Sequence, residues 1–427
     1  MLREDLIKKE IQGKKREISL RRADKLKQEI TDYFLIQSTI ETGMRVQERN
    51  IRNRESILQY FQASNNDWDN WAWQMKNRIS DVNVLASILD LNELEVQAIK
   101  KVSKQVRWSI SPYYLSLIDF DNYAASPIYK QSVPSLLELT EYQGEDDPMG
   151  EELTNPAPRI TRRYPDRLII NVTNQCGMYC RHCQRRRNFG ETDNHATRKD
   201  LEAALQYIRD NSEIRDVLIT GGDALMLSDR TLDWLLGELD AIAHVEIKRI
   251  GTRVPVTIPQ RITANLCQVL KMHPPIYINT QFNSPLEITL EAKRACDRLI
   301  EAGVVLGNQA VLLKGINDDI HVMKKLNQEL LKIRVRPYYI FQAKEVTGTT
   351  HFVSPVQTGL DIMKHLRGYT SGLAVPTYII NAPGGYGKTP VNPEYVLAID
   401  ENQVLIRTWQ GKTFNYPNHA AHNPIDV

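Results

Sequence analysis

The feature that most constrains the fold is a regular alternation of short β-rich runs and helical stretches, which begins near residue 165. Six such runs lie at 168–173, 216–221, 248–253, 276–282, 304–313 and 336–342. Helical stretches, among them RKDLEAALQYIRDN and TLDWLLGELDAIA, separate the runs. This pattern predicts parallel βα units in an α/β fold. A sheet of this kind curls into a partial (β/α)6 barrel of the TIM type, with its active site at the carboxyl ends of the strands.

The rest of the 427-residue chain divides around this barrel, which we place at 165–345. Residues 1–110 are charged, poor in Gly and Pro, and predicted to be helical, with a possible role in oligomerisation. Residues 111–164 are predicted to be an irregular covering segment and linker. Residues 346–427 form a C-terminal region in which a strand at 377–382 leads into a Gly-rich turn, followed by a short β extension.

Composition excludes several classes of protein. Hydrophobic residues make up 42% of the chain, so disorder is not expected. Lys plus Arg (54) nearly balances Asp plus Glu (52), which gives no support for a nucleic-acid or membrane-surface partner. No apolar run reaches membrane-spanning length, and the N-terminus lacks the apolar segment of a signal peptide, so we expect a cytoplasmic protein. The odd count of five cysteines argues against a disulfide framework.

Three of the five cysteines form a CxxxCxxC motif directly after the first predicted strand: Cys176, Cys180 and Cys183. Three thiolates on one short loop suit a metal cluster, and a [4Fe–4S] cluster held by only three cysteines leaves one iron open for a small molecule. A structural zinc ion, with His182 or another residue completing its tetrahedral coordination, is the alternative. The remaining two, Cys267 and Cys296, are predicted to be ordinary buried thiols.

A second motif places Lys388 on a Gly-rich arm, APGGYGKTP, after the strand at 377–382. The spacing does not fit a nucleotide P-loop, and no helix follows. A lysine on such an arm near a barrel mouth can form a Schiff base with pyridoxal 5′-phosphate (PLP). Arginines in the RRYPDR segment at 162–167, just before the first predicted strand, suit the phosphate group of PLP. Taken alone, each motif also fits a solvated surface turn.

The cysteine loop and the double-glycine turn Gly221-Gly222-Asp223 resemble the radical S-adenosylmethionine (SAM) superfamily, in which the open iron binds SAM. The segments RRYPDR, NQCGMYCRHCQRRR, DVLITGGDAL, RIGTRVPV, GNQAVLLKGIND, RVRPYYIFQ and APGGYGKTPV together resemble the lysine 2,3-aminomutase family over roughly residues 105–410. This resemblance implies a [4Fe–4S] cluster, SAM and PLP, and transfer of an amino group between C2 and C3 of an amino acid. It implies a 5′-deoxyadenosyl radical and an external aldimine of PLP.

The resemblance also assigns roles to single residues. Cys176, Cys180 and Cys183 match the cluster ligands, and Lys388 matches the PLP lysine. Arg163, Tyr164 and Arg167 match the PLP phosphate region. Gly221, Gly222 and Asp223 match a SAM-binding turn, and Gln309 matches a further SAM contact. Arg185 matches the arginine that pairs with the substrate α-carboxylate.

Two positions depart from the lysine-specific members, which carry two acids that bind the distal ammonium group. Here these positions are Lys344 and Asn381. A substrate ammonium group would face a like charge at Lys344, whereas a distal carboxylate would be paired. The pattern resembles the glutamate-specific members, so we expect L-glutamate to be converted to β-glutamate. Lysine or a lysyl side chain is the nearest alternative, and a non-catalytic Fe–S or zinc module is the alternative from another class.

Further expectations concern partners. The resemblance implies a reducing electron donor of flavodoxin or ferredoxin type and a homo-oligomer, either dimer or tetramer. The lysine enzyme has a cysteine-rich C-terminal metal site, whereas no cysteine follows Lys388 here. We therefore predict no structural zinc and interpret His419 and His422 as solvated.

Overall fold

The computed structural model describes residues 2–140 and 143–418, so His419 and His422 lie outside the described residues. Seventeen α-helices are described: α1 (Leu2–Gln28), α2 (Thr31–Ile36), α3 (Gln47–Phe61), α4 (Asn65–Trp68), α5 (Trp71–Lys76), α6 (Val82–Leu89), α7 (Glu93–Ser103), α8 (Pro112–Leu115), α9 (Pro127–Ser132), α10 (Leu137–Thr140), α11 (Arg198–Arg209), α12 (Asp229–Asp240), α13 (Val254–Thr257), α14 (Ala264–Met272), α15 (Leu290–Glu301), α16 (Ile320–Lys332) and α17 (Val356–Leu366). None of these helices combines the length and hydropathy needed to cross a membrane.

The described strands are β1 (Ile160–Thr161), β2 (Arg167–Asn171), β3 (Asp216–Thr220), β4 (Ile247–Gly251), β5 (Ile276–Thr280), β6 (Val305–Leu312), β7 (Arg336–Gln342), β8 (Thr377–Ala382), β9 (Gly387–Pro390), β10 (Val396–Ile399), β11 (Gln403–Arg407) and β12 (Thr413–Pro417). The first nine form one sheet in sequence order, and β10 to β12 form a small antiparallel sheet. Neighbours from β2 to β8 are parallel, whereas β1 and β9 are antiparallel edge strands. The predicted partial barrel is confirmed. Its parallel sheet has seven strands rather than six, since β8 also pairs with β7.

The β3–α12 unit illustrates why this sequence forms βα repeats. Alternate side chains of β3 are buried, as expected for a strand covered by helices on one face. Ser228 caps α12 by accepting a hydrogen bond from the Thr231 backbone N–H. Four leucines at helical spacing, Leu232, Leu235, Leu236 and Leu239, are fully buried. Each such leucine stabilises the packing by about 1.5–3 kcal/mol.

The N-terminal region is helical, as predicted, and the apolar stretch after Asp81 forms two helices. Asp81 caps α6 by accepting a hydrogen bond from the Asn83 backbone N–H. Asp90 then takes a left-handed conformation (φ 53°), which ends α6 before Asn92 caps α7. Residues of the segment 111–164 pack against the barrel, where the Tyr114 hydroxyl donates to Glu287. The domain boundaries themselves stay a prediction.

Candidate active site

One cavity of about 280 Å³ opens at the carboxyl ends of the parallel strands. Its lining includes most of the candidate residues, namely Arg163, Cys176, Cys180, Cys183, Arg185, Gly221, Gly222, Asp223, Gln309, Lys344, Asn381 and Lys388. Tyr164 and Arg167 are not part of this lining. The fold thus brings together residues that are up to 225 positions apart in the chain, because loops after β2, β3, β7 and β8 meet at one edge of the sheet.

The cysteine loop is fixed from outside the cavity by the carboxylate of Asp193. This carboxylate accepts hydrogen bonds from the Tyr179 hydroxyl (2.7 Å) and from Arg78 Nη2 (2.6 Å). Arg78 Nη1 in turn donates to the Cys176 carbonyl oxygen at 2.6 Å. The loop is therefore held by both its backbone and its side chains before any ligand binds.

The three thiols differ in their surroundings. Cys180 Sγ lies 2.9 Å from Arg253 Nη1, and Cys183 Sγ accepts the Arg185 backbone N–H at 3.4 Å. Burial raises the pKa of Cys183 to about 11 and the pKa of Cys176 well above its usual range. Buried thiols of this kind become thiolates when a metal replaces the proton, so the donor set fits an iron–sulfur cluster.

A single-ion zinc site is not preformed. Among the described residues, no three His, Cys, Asp or Glu side chains meet closely enough to bind one metal ion. A four-iron cluster does not need such a meeting point, because each thiolate binds a different iron. His182 Nε2 lies 3.3 Å from the Gln281 amide nitrogen and 3.4 Å from that of Asn283, and its ring packs edge-on against Phe352.

The double-glycine turn after β3 packs directly on the backbone after β2. A Cβ at Gly221 (φ 142°) would lie 2.3 Å from the Thr173 carbonyl oxygen, and one at Gly222 would lie 2.5 Å from the Gln175 carbonyl oxygen. Only glycine allows this close approach. The Asp223 carboxylate is already engaged, because it accepts hydrogen bonds from the Thr252 hydroxyl and from the backbone N–H of Arg253.

Lys388 lies in the β8–β9 hairpin, opposite Asn381 in the register. Its amine lies 5.1 Å from the ring centre of Tyr339, and its backbone N–H donates to the Tyr164 hydroxyl at 2.8 Å. Burial and the nearby charges of Arg249 and Arg167 lower the pKa of Lys388 to about 8. A lysine amine that loses its proton near neutral pH is suited to covalent attachment of a carbonyl compound.

The two arginines expected to bind anions share an internal carboxylate. Glu151, from the segment before β1, accepts hydrogen bonds from Arg185 Nε (2.9 Å), Arg185 Nη2 (2.8 Å) and Arg163 Nη2 (2.8 Å), and Arg187 adds a third ion pair. Burial opposes ionisation of Glu151, but the three guanidinium groups outweigh it and lower its pKa to about 2. The group therefore keeps a net positive charge toward the cavity.

Lys344, two residues after the end of β7, extends this positive region. Its amine contacts the Gln184 side-chain oxygen. Burial and the charges of Arg185 and Arg163 lower the pKa of Lys344 to about 7. Asn381 presents a buried amide nitrogen that has no hydrogen-bond partner within the described part of the chain. At the two positions that differ from the lysine-specific members, the cavity therefore has a cation, Lys344, and a free amide donor, Asn381.

Sequence reasoning missed Glu151, Arg249 and Arg253. Glu151 lies in an acidic run interpreted as linker, and nothing in that run marks which acid faces inward. Arg253 and Arg249 stand in the quoted RIGTRVPV segment but received no role. The two remaining thiols, Cys267 and Cys296, are free and lie on α14 and α15, with Cys296 buried and Cys267 half-buried.

A three-cysteine loop after the first parallel strand of a partial barrel, with a glycine turn packed beside it, defines the radical SAM class of enzymes. Residues 170–326 match the radical SAM superfamily, and residues 363–426 match the family described as Lysine-2,3-aminomutase. Such enzymes carry a [4Fe–4S] cluster and use SAM. The chain belongs to the lysine 2,3-aminomutase family, whose members are isomerases that move an amino group.

Relatives match nearly the whole chain. A protein of Clostridioides difficile named glutamate 2,3-aminomutase is 55% identical over 95% of this chain and 96% of its own length. An L-lysine 2,3-aminomutase of Acetoanaerobium sticklandii is 48% identical over 86% of this chain and 90% of its own. The L-lysine 2,3-aminomutase of Clostridium subterminale is 47% identical, with 85% and 87% covered.

Proposed function

We propose that this protein is a glutamate 2,3-aminomutase, which moves the amino group of L-glutamate from C2 to C3 to give β-glutamate. The reaction exchanges a C–N and a C–H bond between neighbouring carbons, so it is redox-neutral overall. The observation that carries the proposal is the charge of the cavity around Lys344, where cations outnumber carboxylates.

The charge argument distinguishes the two amino acids. The ammonium group of a lysine substrate would lie among Lys344, Arg185 and Arg163, with an unfavourable energy on the order of several kcal/mol in a buried site. The distal carboxylate of glutamate would pair with Lys344 and accept a hydrogen bond from the Asn381 amide. The higher identity to the relative named for glutamate supports the same choice.

We further propose that the cavity binds PLP through Lys388, with its phosphate near Arg163, Tyr164 and Arg167. The buried amine of Lys388 and its lowered pKa fit that role. Bound together, the cluster and SAM supply radical hydrogen abstraction, and PLP supplies a carbonyl group that carries the amino nitrogen during its migration.

The side chains of the chain itself then position the reactants. Arg185 Nη1 has no hydrogen-bond partner in the described residues and is proposed to bind the α-carboxylate, while Glu151 holds the opposite edge of the guanidinium group. Lys344 and Asn381 fix the distal carboxylate. Two fixed carboxylates define which hydrogen on C3 faces the radical source, near the SAM side formed by Gly221, Gly222, Asp223 and Gln309.

The proposal extends to partners and location. A low-potential donor of flavodoxin or ferredoxin type would reduce the cluster in the cytoplasm. A homo-oligomer is supported by apolar side chains exposed on α1 and α2, including Phe34 (60% exposed) and Leu35 (73% exposed).

The test is a substrate comparison under strictly anaerobic conditions. The protein is reconstituted with iron, sulfide, PLP and SAM, reduced, and incubated with L-glutamate or L-lysine. We expect β-glutamate from glutamate and no 3-amino isomer from lysine. Turnover of lysine without turnover of glutamate would refute the charge argument.

A further inference from the structure

Arg253 donates a hydrogen bond to a cysteine sulfur of the cavity. No other cationic side chain of the described residues does so. Its Nη1 lies 2.9 Å from Cys180 Sγ. Arg253 follows β4 and is only 7% exposed. For comparison, Cys183 accepts a longer bond from a neutral backbone N–H. The three cysteines are therefore not equivalent.

The rest of the guanidinium group is held rigidly by other partners. Nε donates to the Gln281 carbonyl oxygen at 3.0 Å, and Nη2 donates to Glu287 Oε1 at 2.5 Å and to Gln131 Oε1 at 2.7 Å. Glu287 is fully buried and also accepts the Tyr114 hydroxyl. Because Glu287 already balances the charge of Arg253, the bond to sulfur is not needed to keep the cation buried.

A fixed cationic donor at a cluster ligand has a definite effect on redox chemistry. Reduction adds one electron to the cluster and increases the negative charge on its thiolate sulfurs, so a hydrogen bond to sulfur stabilises the reduced state more than the oxidised state. Burial strengthens this effect because little solvent screens it. The electron comes from a low-potential donor of flavodoxin or ferredoxin type, and no covalent bond of the protein changes.

We propose that Arg253 is a positioning residue of the redox centre, which raises the reduction potential of the [4Fe–4S] cluster through its hydrogen bond to Cys180. This inference needs the cluster of the radical SAM class but not the choice of glutamate as substrate. Activity with either amino acid therefore leaves it undecided, and the potential decides it.

The primary experiment is a potentiometric titration of the reconstituted full chain, followed by electron paramagnetic resonance without SAM or substrate. We expect the midpoint of Arg253→Gln to be more negative than that of the unchanged protein, at equal iron and sulfide content. Arg253→Lys keeps the charge beside Glu287 but loses the planar fork, so we expect a smaller shift of the same sign. Unchanged midpoints in both variants would overturn the proposal.

The matched control is Arg261→Gln. Arg261 also lies after β4 and is buried, with 1% exposed against 7% for Arg253, but it donates to the Leu225 and Leu227 carbonyl oxygens and to Asp229. We expect its midpoint to stay at that of the unchanged protein. An equal shift of the midpoint in Arg261→Gln would show that removing any buried cation changes the potential. The specific role of Arg253 would then be rejected.

A comparison of the unchanged protein with Arg253→Lys covers the case in which Arg253→Gln assembles no cluster. Exchange into D2O should shift the iron–sulfur stretching bands in resonance Raman spectra if an N–H group donates to a ligand sulfur. We expect part of this shift to disappear in Arg253→Lys. A shift that is the same in both proteins would contradict the proposal.

Discussion

The two ends of the cavity balance their buried charges in different ways. At the cysteine end, Arg253 pairs with Glu287 and Arg181 pairs with Glu138, and each carboxylate is fully or almost fully buried. At the lysine end, Lys344 and Lys388 form no ion pair with any described residue. At the cysteine end the buried arginines are paired with carboxylates of the protein, whereas the lysine end has an excess of positive charge.

This difference indicates which end takes anions from outside the chain. A buried cation without a carboxylate partner is unfavourable, which the lowered pKa values of Lys344 and Lys388 reflect. An anionic ligand would relieve that cost, and the proposed substrate and PLP together bring two carboxylates and a phosphate. The predictions below change one end at a time and are ordered from the largest expected effect to the smallest.

Replacement of Lys388, the proposed PLP lysine, should have the largest effect. We expect Lys388→Ala to lower kcat/KM for glutamate by at least about three orders of magnitude, since no other amine lies at that position to hold PLP covalently. Borohydride-sensitive visible absorbance should also be lost, while iron content stays unchanged. If that absorbance persists in Lys388→Ala, PLP is attached elsewhere.

At the cysteine end, the expected effect is on stability. Glu138 is paired with both Arg181 and Arg186, and all three side chains are nearly inaccessible. Burial opposes its ionisation, yet the two arginines lower the pKa of Glu138. Glu138→Ala leaves two buried cations uncompensated and should reduce the free energy of unfolding by about 3–5 kcal/mol, measured by urea denaturation.

The control for this stability effect is a surface pair. Glu246 pairs with Arg215, and both side chains are more than half exposed. Glu246→Ala should change the free energy of unfolding by less than about 1 kcal/mol, because solvent screens such pairs. Equal losses in the two variants would show that burial of the Glu138 pair does not matter.

Local motifs could be predicted from the sequence, whereas contacts between distant residues could not. The strands, the three-cysteine motif and the Gly-rich arm of Lys388 are local signals, since each depends on a few consecutive residues. The seventh parallel strand was found as a strand but not as part of the sheet, because β-pairing joins distant segments. Partners such as Arg253 and Cys180, or Glu151 and Arg185, are 73 and 34 residues apart and leave no local mark.

Replacement of Lys344 and Asn381, the two residues that differ from the lysine-specific members, should alter substrate choice. We expect Lys344→Asp combined with Asn381→Asp to lower kcat/KM for glutamate by about 100-fold, because loss of a buried charge pair costs roughly 2–5 kcal/mol. Lysine turnover should rise from undetectable to measurable. Lys332→Met, an exposed lysine on α16, is the control and should leave both values unchanged. Unchanged glutamate kinetics in the double variant would remove Lys344 from the substrate site.

The smallest effect is a pH dependence at the same lysine. Lys344 faces Arg185 and Arg163, Glu151 and Lys388, and together with burial these give it a pKa of about 7. In the proposed function its cationic form binds the distal carboxylate, so kcat/KM for glutamate should fall as pH rises through that pKa, by up to about tenfold per pH unit. The anionic phosphate of the proposed PLP would move this fall to higher pH without changing its sign. Lys344→Arg stays charged throughout, so its profile should be flat over the same range, and a fall of equal size in that variant would assign the titration to another group.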